Sequence, residues 1–127
     1  MKTVILVVED NVRNRKLVRT ILEFRGFEVV ECDDGEPALA LAKQHRPALV
    51  LMDIELPKVD GLTALARLRA DPETAAIPVV AVTASVTASQ RERVVSAGFN
   101  AYIAKPIDVV SFGEMVDRLA GRAGATQ

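Results

Sequence analysis

The sequence predicts an α/β domain of five βα units, (βα)5, with its strands in one doubly wound parallel sheet. Three observations lead there. Short apolar runs alternate with amphipathic stretches five times along the chain. Most of those runs lack polar alternation, as strands covered on both faces do. Polar or charged residues stand directly after the runs, where α/β sheets place their sites.

Taken in order, Val4 to Val8 is the first run, rich in β-branched residues and followed at once by Glu9 and Asp10. Asn11 can cap a helix carrying Leu17, Val18, Ile21 and Leu22 on one face, with Gly26 just past its end. Phe27 to Cys32 is interrupted by Glu28 and Glu31, which suits a strand at a sheet edge. Asp34 can cap the second helix, with Ala38, Leu39, Leu41 and Ala42 inward and a stop before Pro47. The run Ala48 to Met52 ends at Asp53, and Leu62, Leu65, Ala66 and Leu68 mark a third helix after Gly61. The run Ile77 to Val82 ends at Thr83, and Arg91 to Ala97 lies in a helix closed by Gly98. The run Ala101 to Ala104 ends at Lys105, and Asp108 opens a helix with Phe112, Met115, Val116 and Leu119 at helical spacing. Right-handed crossovers leave few topologies for such a chain.

At 127 residues, one domain is expected over residues 1–120, with a small polar tail at 121–127 and no output domain. The formal net charge of −1 gives no nucleic-acid footprint, and no apolar run reaches the ~20 residues of a membrane span. Cys32 is the only cysteine, so a reducing cytoplasm is the expected setting, and a monomer or weak dimer the expected state. His45 suits the dipole at a helix C-terminus. Arg13, Arg15, Lys16 and Arg19 read mostly as a solvated helix face.

The strand ends carry the chemistry. Glu9-Asp10, Asp53, Thr83 and Lys105 supply three carboxylates, one hydroxyl and one ammonium. Crowded carboxylates repel, which pushes one of them toward protonation unless a cation joins them. Lys105 offsets one charge of three, and Mg2+, a hard ion that takes oxygen ligands, suits the remainder. An aspartate can be a nucleophile toward phosphorus, and phosphoryl transfer asks mainly for position and charge neutralisation.

The segments Val8-Glu9-Asp10-Asn11, Leu51-Met52-Asp53-Ile54-Glu55-Leu56-Pro57, Val82-Thr83-Ala84 and Ala104-Lys105-Pro106 resemble the landmarks of the CheY-like response-regulator receiver family. The resemblance runs from about Lys2 to Leu119. The opening Glu9-Asp10-Asn11-x-x-Asn14 resembles the single-domain regulators of the DivK type. The resemblance implies the flavodoxin-like strand order 2-1-3-4-5. It further implies Asp53 as phosphoacceptor, and Mg2+ on Asp10, Asp53 and the Glu55 carbonyl, with Glu9 acting through water. Lys105 would neutralise charge at the acceptor, Thr83 and Tyr102 would form the switch, and the Lys105–Pro106 bond would be cis. Gly61 would fit the loop after the acceptor, and Glu55 and Ser85 would flank the path of attacking water.

The function so implied is a phosphorelay switch rather than an enzyme with separate substrate turnover. A histidine kinase or histidine phosphotransfer protein would donate, and a downstream protein would read the surface of the fourth helix, fifth strand and fifth helix. The alternative is an adaptor of the same fold that works without phosphorylation. A P-loop enzyme would want G-x-x-x-x-G-K-[ST], which is absent, and a haloacid-dehalogenase-type phosphatase would want aspartate where Glu55 stands, so both fit poorly.

Overall fold

A computed structural model describes residues 2–84 and 87–121. Ser85 and the tail beyond Gly121 lie outside the described residues. The element order is β1 (Val4–Val8), α1 (Val12–Phe24), β2 (Glu28–Cys32), α2 (Ala38–His45), β3 (Leu49–Asp53), α3 (Gly61–Ala70), β4 (Val79–Thr83), α4 (Ala88–Ala97), β5 (Ala101–Ala104) and α5 (Val109–Leu119). All four strand pairings are parallel, in the order β2-β1-β3-β4-β5. The glutamate-interrupted β2 is at an edge, as expected.

The near-continuous apolar runs are explained by two cores, one on each face of the sheet. Leu6, Val8, Val50, Met52, Val79 and Ala81 point to a core covered by α2, α3 and α4. Their alternates Ile5, Val7, Leu49, Leu51, Val80 and Val82 point to a second, covered by α1 and α5 through Val18, Ile21, Leu22, Phe112 and Val116. Neither face of the central strands meets water, so neither selects polar residues.

Several expectations shift locally. Pro78 has no N–H to give the ladder, and β4 starts at Val79 rather than Ile77. Phe27 is buried but donates its amide to the Leu22 carbonyl, leaving β2 to begin at Glu28. Asp34 does not cap α2. Its Oδ1 accepts the Glu36 amide at 2.6 Å, and α2 starts after Pro37 with no side-chain cap. The preset φ of Pro37 starts the helical turn three residues beyond the aspartate, out of reach of a capping bond. In α3, Ala64 faces inward and Ala66 is exposed, while in α1 Leu17 is 38% exposed. Thr87 caps α4, which begins three residues before Arg91.

Arg69 braces the end of the fold opposite the site. Its guanidinium donates to the carbonyls of Ala75, Ile77 and Gly98 and to Asn100 Oδ1, at 2.7–3.0 Å. Asn100 Oδ1 also accepts the Val79 amide at 2.8 Å. One side chain thus ties α3, the entry to β4 and the α4–β5 turn together.

Candidate functional site

The site begins with register. Val8 pairs with Met52, Met52 with Ala81 and Ala81 with Tyr102, so four strands finish at one edge of the sheet, β3 running one residue and β4 and β5 two residues further than β1. The ladder then runs slightly on: the Glu9 amide donates to Cys32 O (3.0 Å), Ile54 to Val82 O (3.2 Å) and Lys105 to Thr83 O (2.9 Å). These bonds hold the first residue past each strand as firmly as the strand itself.

Four polar side chains among the described residues are buried: Glu9, Asp53, Thr74 and Thr83. Thr74 is a structural residue, its hydroxyl donating to Leu68 O at 2.6 Å. The other three all stand at the carboxyl edge of the sheet. Burying carboxylates is costly unless they are paired, and the pairing falls to Lys105. Its ammonium lies 2.9 Å from Asp53 Oδ2 and 3.1 Å from Glu9 Oε1. The Asn11 amide donates to Glu9 Oε2, and the Glu55 amide to Asp53 Oδ1, each at 3.0 Å.

One ammonium is not enough for the acids around it. Glu9, Asp10 and Asp53 each offer a carboxylate oxygen, all within 4.8 Å of one another. Burial pushes the Glu9 carboxyl up to about 6, and the Asp53 charge adds to it against the Asn11 amide and Lys105. Burial pulls the Lys105 ammonium down, but its bonds to Asp53 and Glu9 outweigh that and hold it above its ordinary value. The donor set is all oxygen, net negative and half open, since Asp10 is exposed. That is what a hard divalent cation requires, so these residues fit Mg2+.

The loop after β3 is shaped by two glycines. A Cβ on Gly61 would meet Asp53 O at 2.5 Å and Ile54 Cα at 2.7 Å, so only glycine lets α3 close against β3. Gly35 has the same relation to the Val59 carbonyl, which its would-be Cβ would meet. Asp60 caps α3 through the Thr63 amide.

Of the remaining expected residues, Glu55 is exposed and Tyr102 is half-buried on β5, three residues before Lys105. The Arg91 guanidinium sits over the Tyr102 ring, 5.7 Å from its centroid. A cavity of about 250 Å³ opens between β5 and α5, lined by Tyr102, Pro106, Ser111, Phe112 and Met115 among others. The Lys105–Pro106 bond is cis. Cys32 is half-buried, and burial, with Asp34 and Asp33 adding, pushes its thiol up to about 11, which keeps it from thiolate chemistry.

Arg15 is the residue the sequence reading missed. Together with Arg19 it is drawn out of the supposed solvated face by Glu31 (3.9 and 2.8 Å), and it donates to the Glu9 carbonyl at 2.9 Å. The acidic residue interrupting β2 was the available signal, since an edge-strand glutamate beside a basic helix invites pairing.

Comparison with known proteins bears on the family and the fold. The chain is 44% identical over 119 residues to the polar-differentiation response regulator DivK of Brucella anthropi, covering 94% of this chain and 97% of that one. The receiver domain of the sensor histidine kinase PA1611 from Pseudomonas aeruginosa, solved with magnesium in its active-site cleft, superposes with a TM-score of 0.88. It is 33% identical, over 95% of this chain and 99% of that chain. The chemotaxis protein CheY4 of Vibrio cholerae shares the fold, with a TM-score of 0.87 at 22% identity over 94% of this chain and 99% of that one. Among the described residues no helix is long and apolar enough to cross a membrane. With residues 5–117 matching the response regulator receiver domain, the chain belongs to that family.

Proposed function

We propose that this chain is a phosphorylation switch in which Asp53 takes a phosphoryl group from a phosphohistidine donor. The observation that carries the reading is the Lys105 ammonium bridging the buried Asp53 and Glu9 carboxylates beside Asp10. An Asp53 oxygen attacks phosphorus as the P–N bond to the donor imidazole breaks. The electron pair leaves on the imidazole nitrogen, which then takes a proton. Lys105, already at 2.9 Å, meets the charge that builds on the acceptor side. Asp10, Asp53 and the Glu55 carbonyl would hold Mg2+, with Glu9 acting through water, and the bound ion would supply charge neutralisation at the phosphoryl oxygens. Water later hydrolyses the acyl phosphate.

The readout is a population shift at the far side of the same edge. Thr83 is buried at the end of β4 and Tyr102 is half-buried on β5 beside a cavity, so a phosphoryl group that draws on Thr83 changes the packing available to the ring. A downstream protein then reads the α4-β5-α5 surface.

The test is intact-mass analysis after incubation with acetyl phosphate and Mg2+. A gain of one phosphoryl group that is lost with chelator and lost in Asp53→Asn is expected. No gain, or an equal gain in the variant, sinks the acceptor assignment and leaves an adaptor that works without phosphorylation.

Because Glu9 is pushed up to about 6, protons compete with the cation. Affinity for Mg2+ is expected to be level above about pH 7 and to decline as pH falls through about 6. Calorimetric titration across that range checks it, and an affinity unchanged down to about pH 5 would contradict it.

A further inference from the structure

We infer that Arg15 is a positioning residue for the acid pair Glu9-Asp10, acting through the peptide unit that joins them. The inference rests on the proposed cation site and adds a residue that lies outside it.

A peptide unit is planar, and the Cα atoms of both its residues lie in the plane. Rotation of the Glu9–Asp10 unit therefore changes the direction in which both side chains leave the backbone. The Glu9 main chain is gripped at each end. Its amide donates to Cys32 O at 3.0 Å, and its carbonyl accepts Arg15 Nη1 at 2.9 Å. Asn11 at 3.0 Å and Lys105 hold the Glu9 carboxylate directly. Asp10 has no such burial. It is exposed, so the course of its backbone decides where its carboxylate stands.

Arg15 can hold that course because it is itself held. Its backbone sits in the first turn of α1, with its amide on Asn11 O at 2.9 Å. Its guanidinium lies 3.9 Å from Glu31 on the edge strand, and Glu31 is fixed in turn by Arg19 at 2.8 Å. The side chains are largely sheltered, at 23% exposure for Arg15 and 21% for Glu31. A chain of contacts thus runs from the edge strand through Glu31 and Arg15 to the backbone of the acid pair. The Glu9 carbonyl lies outside the hydrogen-bonding of α1, whose first acceptor is Asn11 O, so water can replace Arg15 without unravelling the helix. Outer contacts of this kind typically change metal affinity 10–100-fold.

The experiment is a Mn2+ titration read by loss of the free-ion paramagnetic resonance signal, with phosphorylation rate and thermal melting beside it. Arg15→Met keeps the aliphatic stem and removes every donor. It is expected to raise the Mn2+ Kd about tenfold, with the phosphorylation rate at saturating Mg2+ close to native. Arg15→Lys, which keeps one donor for the Glu9 carbonyl, is expected to recover most of the affinity. A native Kd in Arg15→Met overturns the inference, whatever the melting temperature does, because a brace for the fold alone would lower melting and leave the Kd in place. Should Arg15→Met fail to fold, Glu31→Gln reads the same link: a Kd raised about threefold supports it and an unchanged Kd overturns it. Failure of the proposed function is distinguishable, for then native protein takes up no phosphoryl group while its Mn2+ titration still separates the variants.

Discussion

Lys105→Met is expected to slow phosphoryl uptake at Asp53 by about 10²–10³-fold, the usual cost of losing one preorganised charge at a reacting oxygen. The ammonium touches both buried acids, and no other cation is seen against them among the described residues. Methionine matches the length of the stem and preserves the packing, so the loss is electrostatic. The same variant shifts the pH dependence of stability in the metal-free protein. Burial already raises Glu9 to about 6, and Lys105 is among the groups holding it down, so its removal raises the carboxyl further. An acid whose folded pKa lies above its unfolded value contributes stability that is full below the unfolded value and lost as pH rises through the folded one. The melting temperature of Lys105→Met is therefore expected to fall more steeply than the native one between about pH 5 and 8. Rates of mass gain under acetyl phosphate, with melting curves at several pH values, measure both effects. A rate within about threefold of native would show that Lys105 is not an electrostatic partner of the acceptor.

Gly61→Ala is expected to cost stability and rate together. Its Cβ would lie 2.5 Å from Asp53 O and 2.7 Å from Ile54 Cα, both backbone atoms that cannot swing aside as a side-chain tip could. Overpacking of that kind costs about 2–3 kcal/mol. Alanine in a helix gains up to about 1 kcal/mol over glycine, so the clash outweighs the helical preference and a net loss of about 1–2 kcal/mol is expected. The atoms that must move belong to Asp53 and Ile54, so the phosphorylation rate is expected to fall as well. Urea denaturation and the mass-gain assay measure the two. A native midpoint with a native rate would mean that the loop after β3 absorbs the methyl group without moving Asp53.

The position of Lys105 at a strand end was legible in the sequence, and the reason is physical. A strand covered on both faces is apolar until the point where it leaves the sheet, so the change from apolar to polar marks its end. Val8 to Glu9, Met52 to Asp53, Val82 to Thr83 and Ala104 to Lys105 are four such marks, and parallel pairing brings them to one edge of the sheet, within two residues of one another. What escaped was recognition of main chain by side chain. Arg15 finds a carbonyl, and Arg69 finds three carbonyls and an asparagine oxygen. A carbonyl has no letter in the sequence, so no spacing announces it. Asp34 failed for a related reason: it has the right chemistry for a cap, but Pro37 sets where α2 begins. The exchange of Ala66 for Ala64 on the inner face of α3 shows how little an alanine says about direction. The Arg91–Tyr102 contact joins two elements, and periodicity within either one is silent about it.

The central claim is that Asp53, and not one of the acids crowded beside it, carries the phosphoryl group. Borohydride reduction of the phosphorylated protein addresses it directly, because an acyl phosphate is reduced to the alcohol and an aspartyl phosphate becomes homoserine. Peptide mapping by mass spectrometry should then find homoserine at position 53 alone, and none in protein treated without Mg2+. Conversion at Glu9, Asp10 or Glu55 with position 53 intact would contradict the account.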